Sequence, residues 1–418
     1  MSARGGGVSE GAKRTSALAL ALVLVAILIL TLWPLGPKPA LADDRLSVRF
    51  ALADFLRNVI LFLPLGIALS ARGYSVLGVA LRGVLLSACI ELAQVEIPGR
   101  FGNLSDVMSN SVGALLGALL HRTSSRWLWA GRRGAERLAL GWSIVTATAV
   151  LGTGLLLGPA LPTTEYFAGW TLELGHLARY NGHVLAATLG TEPLPNGPLE
   201  RSAEVRALWL AGTPLRVEAR AGAPTASLAP IFTIHDGAHR EILLIGAERG
   251  DLVLRVRTWA QAVNLDRPAL RWPGILDDVR EGQPLTIGAQ RDGNGWCLTL
   301  GDRSACPLGF TAGSGWRLLW FPQLLPAEVT PWLNRVWLAL LFLPLGLWLR
   351  FTPASAVACA IAASALFLAP LAGLLPTPPL EIAGAVSGIV LGAALQPLLA
   401  RRRQRTALAF DVRALPLR

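Results

Sequence analysis

Residues 90–120 read IELAQVEIPGRFGNLSDVMSNSVGALLGALL and set Glu91, Gln94, Arg100, Asp106 and Asn110 between two runs suited to lipid. Two acids, an amide and a base at this spacing allow two kinds of chemistry. In a catalytic reading, Arg100 grips a phosphate or carboxylate while Glu91 or Asp106 acts as base. In a binding reading, the same groups seat an amphiphile head group without any reaction. The structural alternative pairs Glu91 with Arg100, lets Asp106 cap its own helix, and makes the set a lock for a hairpin. A proton or ion relay would call for acids at deeper positions. Glu91 and Gln94 stand three apart and share one helical face. A carboxylate at a helix start, as at Asp106, is favoured by unsatisfied N–H groups and the dipole. Charges at membrane depth cost several kcal/mol unless paired or hydrated.

The elements that must position these residues are membrane helices. Of 418 residues, 53% are hydrophobic and 16% charged, and the mean hydropathy is +0.49. A soluble enzyme would carry about a quarter charged residues. A bilayer core needs roughly 20 apolar residues per helix. Eight stretches qualify: 17–36, 55–71, 77–96, 106–120, 138–159, 332–349, 354–374 and 380–399. The first exceeds the core of a secretory signal and is read as a retained anchor (16–36) after a short cytoplasmic N-terminus (1–15). Ala40-Leu41-Ala42 also resembles a cleavage site, and cleavage there would leave the remaining topology unchanged.

A net charge of +11 raises the question of nucleic-acid binding. The arginines argue against it, because they gather in short segments beside apolar blocks, as insertion and anionic lipid require. With the N-terminus inside, the basic loop 121–137, the tail 400–418, Arg72 and Arg350 all fall on the cytoplasmic face. The same alternation puts the 96–106 loop and a polar segment, 160–325, outside. Arg82 falls within a span, and is expected to snorkel inward or to mark a later helix start.

The two membrane blocks echo each other. FLPLG occurs at 62–66 and at 342–346, and DVMSNSVGALLG (106–117) matches EIAGAVSGIVLG (381–392). Gly113 and Gly117, like Gly388 and Gly392, form the G-x-x-x-G spacing of closely packed helices. Pro64 and Pro344 are read as kinks. The second copy, 332–399, has Ala385 where the first has Asn110, and Asn334 lies about one turn earlier than Asn58 relative to FLPLG. One working copy and one structural copy is the simplest interpretation.

The ordered set Asn58, Phe62, Pro64, Gly66, Glu91, Gln94, Pro98, Gly99, Arg100, Asp106, Asn110, Gly113 and Gly117 resembles the bacterial VanZ-like family over residues 54–120. The family's founding member is linked to teicoplanin resistance. The resemblance implies a bacterial inner-membrane, cell-envelope protein and brings no defined reaction. The head-group reading of the polar cluster takes Asn58, Glu91, Gln94, Arg100, Asp106 and Asn110 as the ligand-binding set, with Glu91 and Asp106 as the candidates if there is catalysis.

Residues 160–325 change period. LRVEARA, SLAPIFTI, EILLIGA, DLVLRVRT, PLTIGAQ, GWCLTLG and WRLLWFP are short, β-rich and divided by turn residues, which predicts a β-sandwich. PLTIGAQRDGNGWCLTLGDRSACPLGF resembles the close of concanavalin-like, laminin-G-type jelly rolls. A two-residue turn at Gly301-Asp302 brings Cys297 opposite Cys306 with Cα atoms about 4.5 Å apart, compatible with a disulfide. That bond implies an oxidising compartment. Cys89 and Cys359 fall in spans and are read as free packing residues. His235 and His239 flank Asp236-Gly237 at a hairpin tip, read as a solvated turn in preference to a metal site. No zinc signature, nucleophile elbow or phosphate loop is present, and no cofactor is expected. The expected architecture is an eight-helix membrane protein with an inserted jelly roll. Its expected partners are membrane lipids, and an envelope glycan or protein at the outer domain. The rival readings are an enzyme acting on a lipid-linked envelope precursor and a scaffold without ligand.

Overall fold

The computed structural model describes residues 10–33, 47–48, 50–175, 177–320, 325 and 327–411. The Ala40-Leu41-Ala42 signal falls outside the described residues. The chain divides into two compact units, residues 1–135 with 398–418, and residues 136–397.

In the first unit, helices α1 (Glu10–Leu32), α2 (Leu52–Ala71), α3 (Val76–Glu96) and α4 (Leu104–Arg122) are followed by a single turn, α5 (Ser124–Leu128), and by the start of α6 (Arg132–Leu157). The helices are apolar outside, and beside an apolar core of Ile27, Phe62, Leu65 and Val79 they bury polar side chains. On α3 the exposed stripe is Leu77, Leu81, Leu85 and Leu92, whereas Ser87, Glu91 and Gln94 are buried. A soluble helix would show the reverse, since only a lipid solvent rewards an apolar outer face.

α2 and α4 cross with their backbones almost touching. A methyl at Gly66 would overlap the Ala114 carbonyl oxygen, one at Gly113 that of Val59, and one at Gly117 that of Leu63. These glycines set the spacing, and the polar residues one and two turns further out are positioned by it. Asn103 caps α4 by accepting from the Ser105 N–H at 3.3 Å. The expected cap, Asp106, therefore sits in the third helical position, because a side chain reaches back to the N2 or N3 amide only from the residue before the helix. Arg82 folds back on its helix, donates to the Gly78 carbonyl at 3.0 Å and covers the Tyr74 ring. α3 begins at Val76, so Arg82 does not mark a later helix start.

In the second unit, α6 leads into the strands β1 (Tyr166–Trp170), β2 (His183–Leu189), β3 (Glu192–Pro193) and β4 (Gly197–Leu199), then helix α7 (Ser202–Leu210). β5 (Leu215–Arg220), β6 (Ala229–Asp236), β7 (Glu241–Glu248) and β8 (Asp251–Val256) follow, then the turn α8 (Trp259–Ala262) and β9 (Leu270–Trp272). β10 (Pro284–Asp292), β11 (Gly295–Leu300) and β12 (Arg303–Leu308) close the set. Two six-stranded antiparallel sheets, ordered β4-β1-β6-β7-β8-β9 and β12-β11-β10-β5-β2-β3, face each other across a core that includes Phe232, Ile245, Val217 and Leu298. β6 and β7 are buried at every position because Leu177, Leu228 and Ala269 cover the outer face of their sheet.

Leu300 pairs with Arg303 across the expected turn, and Cys297 and Cys306 form a disulfide with Cα atoms 4.6 Å apart. Cys89 and Cys359 are free. WRLLWFP departs from expectation. Its first residues belong to a 3-10 turn, Ala312–Leu318, started by a Thr311–Ser314 capping box; Phe321 and Pro322 lie outside the described residues. A strand is prevented because Gly313 and Gly315 are pressed against Glu381, Asn334 and Trp337.

The unit ends with α9 (Thr330–Trp348), α10 (Pro353–Leu368) and α11 (Pro379–Asp411). The α2–α4 crossing recurs here. Gly346 abuts the Ile389 carbonyl, Gly388 that of Ala339 and Gly392 that of Leu343, so each close contact of the first repeat has its counterpart in the second. Trp142 on α6 donates to the Leu341 carbonyl at 2.8 Å and joins α6 to α9.

Among the described residues, six helices are long and apolar enough to cross a membrane: Arg14–Leu32, Leu52–Ala71, Val76–Glu96, Arg132–Leu157, Pro353–Ala372 and Pro379–Leu399. The other two expected spans are also helical, as α4 and α9, but their outer turns carry Ser105, Asp106, Ser109 and Asn110, or Asn334 and Arg335.

Candidate functional site

The hairpin residues separate into a lock and a polar core. Gln94 donates to the Thr31 carbonyl at 2.9 Å, and Arg100 donates through Nη2 to Leu30 at 2.7 Å and through Nε to Trp33 at 3.0 Å. These are the last carbonyls of α1, which have no partner within the helix, and a cation is favoured at that negative end. Arg100 and Gln94 thus cap α1 from a hairpin about seventy residues away in sequence. The expected Glu91–Arg100 pair is not formed. Glu91 is 3% exposed, and its Oε2 accepts the Asn103 backbone N–H at 2.8 Å.

The polar core is layered. Deepest, Asn110 donates to Ser87 Oγ at 2.8 Å, and its Oδ1 is buried without a partner. One turn outward on both helices, Glu91 and Asp106 lie within electrostatic range of each other. Asp106 accepts from Asn103 Nδ2 at 3.2 Å and from Ser105 Oγ at 3.4 Å. Asn58 donates to Ser109 Oγ at 3.2 Å and also reaches Asp106. Asp54, paired with Arg57, stands close enough to act on Asp106 electrostatically. Asn58 and Asp106 are half-buried, while Asn110 is 2% exposed.

Sequence reasoning does not single out Asp54, Ser87, Asn103 or Ser109. Asp54 had a signal, because it stands eight residues before Phe62 as Asn334 stands eight before Phe342. Asn334 is therefore the counterpart of Asp54, and the apparent one-turn slip against Asn58 disappears.

In the second repeat the matching pair is enclosed. Glu381 accepts from Thr311 Oγ1 at 2.6 Å, the Gly313 N–H at 2.9 Å and Asn334 Nδ2 at 2.8 Å, while Asn334 Oδ1 accepts Trp316 Nε1 at 2.8 Å. Pro376, Pro378 and Pro379 lead into α11 where Asn103 and Ser105 serve α4. Proline carries no N–H, and the 3-10 turn that follows the sandwich supplies the donors instead. A cavity of about 880 Å³ beside this seat is lined by Asp251, Arg271, Arg317, Asn334, Arg335 and Glu381. Burial, and then the nearby Arg271, push the Arg317 guanidinium down to about 10.

At the β6–β7 tip, Asp236 is 1% exposed and accepts Arg240 Nε at 2.7 Å, the Arg240 N–H at 2.9 Å and the Ala238 N–H at 3.0 Å. His235 stacks on Phe167. Among the described residues, no group of three or more His, Cys, Asp or Glu converges as a metal site would. Burial alone would push the Asp236 carboxyl up, but the Arg240 and Ala238 donors outweigh it and hold the group below its usual value. An acid with a depressed folded pKa adds stability above its unfolded value, about 3.9. That stability disappears as pH falls through the folded pKa. The melting-temperature gap between the parent and Asp236→Asn should accordingly be full at neutral pH and shrink below about pH 4.

Inside-out helices bearing a polar core, with a β-sandwich inserted between two related repeats, define a multi-pass membrane protein. Residues 18–126 match the family model described as VanZ/LLP1, so the likeness to that family covers α1 to α4 and the polar core they hold. No curated protein and no solved structure matches the chain.

Proposed function

We propose that this is a bacterial inner-membrane envelope protein that binds an amphiphile head group at the outer rim of its first repeat. The half-exposed Asp106 and Asn58, at the outer ends of α4 and α2, carry this reading. Polar side chains kept partly open at that depth meet head groups. α4 and α9 complete eight crossings, because their polar turns face helix partners while Leu116, Leu119, Val336 and Leu340 face outward. The N- and C-termini lie in the cytoplasm. The sandwich, read as a jelly roll, stands outside, as its disulfide favours, and binds an envelope glycan or protein.

The rim is tested by lipid retention. Parent protein purified in nanodiscs should hold lipid that Asp106→Asn and Asn58→Ala lose, as read by mass spectrometry. Equal retention in all three would contradict the reading. A glycan array probed with the detergent-solubilised full chain tests the outer domain, and a blank array would leave a protein as its partner.

A further inference from the structure

The polar core of the first repeat gathers carboxylates and leaves a buried acceptor unmatched at Asn110 Oδ1, and this selects among head groups. Glu91 and Asp106 lie within electrostatic range of each other, joined through Asn103, whose backbone N–H reaches Glu91 and whose amide reaches Asp106. Of the two nearby arginines, Arg57 is shared, pairing with Asp54 while acting on Asp106, so that three carboxylates stand against one guanidinium, and the Nε and Nη2 of Arg100 are held by the end of α1. Among the described residues, no donor meets the second oxygen of Glu91. One turn deeper, Asn110 Oδ1 is a buried acceptor without a partner. A buried acceptor left unmatched costs about 1–3 kcal/mol, and facing carboxylates repel unless a positive donor joins them. An anionic head group would meet these acids with the hairpin's arginine turned away. The second repeat shows what this kind of seat accepts, since Glu381 and Asn334 hold an O–H and two N–H donors from elsewhere in the chain.

We propose that the seat formed by Glu91, Asp106 and Asn110 binds a primary ammonium group, and that the first repeat selects amine-bearing head groups over anionic ones. The proposal rests on the head-group reading above and specifies its chemistry. Three N–H donors on one positive centre suit two carboxylates and an amide oxygen. A quaternary ammonium carries the same charge with no N–H. That difference separates donation from simple charge attraction.

The test is native mass spectrometry of the full-length protein, titrated with phosphatidylethanolamine, phosphatidylcholine and phosphatidylglycerol. Phosphatidylethanolamine should bind at least tenfold more tightly than either of the others. Asp106→Asn and Glu91→Gln should remove most of that preference. Asn110→Leu, which deletes the orphan acceptor together with the donor to Ser87, should weaken phosphatidylethanolamine binding, whereas Ser87→Ala, which removes only that contact, should leave binding unchanged, so that loss of ligand is separable from loss of the buried hydrogen bond. Free ethanolamine that displaces the lipid would assign the seat to the amine by itself. Failure to displace a retained, Asp106-dependent phosphatidylethanolamine would assign it to the lipid. Phosphatidylglycerol or phosphatidylcholine bound as tightly, and still sensitive to Asp106→Asn, would overturn the ammonium assignment and leave head-group binding in place. If no lipid responds to Asp106→Asn, both fail.

Discussion

Alanine at Gly66 or at Gly117 is expected to prevent the first repeat from folding. In each case the added methyl would lie within 3 Å of main-chain atoms of the facing helix, at the Ala114 or the Leu63 carbonyl. A backbone cannot rotate out of the way as a long side chain can, so α2 and α4 must separate. Overpacking costs typically about 1–3 kcal/mol and occasionally more, and a clash with main-chain atoms belongs at the upper end, a large share of the roughly 5–15 kcal/mol that holds a typical domain folded. Gly346→Ala and Gly392→Ala should damage the second repeat in the same way, at the Ile389 and Leu343 carbonyls. The control lies in the same chain. A methyl added at Gly141 on α6 would meet nothing within 4 Å, and alanine there should raise stability by about 0.5–1 kcal/mol through helix propensity. Size-exclusion profiles and melting temperatures in detergent read both effects. Gly117→Ala that melts with Gly141→Ala would show that the crossing is not tight.

The second large effect is expected at Glu381. It is 5% exposed, and Glu381→Ala leaves the Gly313 N–H without an acceptor and takes the shorter of their contacts from the Thr311 hydroxyl and the Asn334 amide. An unmatched buried donor costs about 1–3 kcal/mol, and with the two lost contacts added a loss of about 3–5 kcal/mol follows. Glu381→Gln keeps an acceptor oxygen and should lose about half as much. Limited proteolysis should then cut near the 3-10 turn Ala312–Leu318 before it cuts the sheets. Asp106→Ala, whose Asn103, Ser105 and Asn58 donors sit at a half-exposed rim, should cost less. Equal losses at the two acids would contradict the contrast between a seat filled by the chain and one open at the surface.

Part of this was legible in the sequence because the controlling interactions are local or periodic. Counting outward from Gly301-Asp302 sufficed to place Cys297 against Cys306, since a hairpin fixes its own register. Glycines four apart marked the helix crossings in both repeats. The destination of Arg100 was hidden, because its partners are the free carbonyls at the end of α1, and nothing near Arg100 points to them. WRLLWFP has a strand's apolar content, but its backbone was decided by the contacts of Gly313 and Gly315 with α9 and α11. The role of Thr311 as a donor depended on prolines before α11, and that compensation shows only when the two repeats are compared residue by residue. β1 and β2 escaped notice as well, since Gly169 and the run Ala186-Ala187 dilute their alternation.

The central claim is sidedness, because the rim, the disulfide and the outer domain all depend on it. With Cys89 and Cys359 replaced by alanine, single cysteines at Ala238 and Ala130 can be probed with an impermeant maleimide in spheroplasts. The account predicts that Ala238→Cys, at the β6–β7 tip, labels in intact spheroplasts and that Ala130→Cys labels only after permeabilisation. The opposite pattern would place the sandwich in the cytoplasm and contradict the assignment.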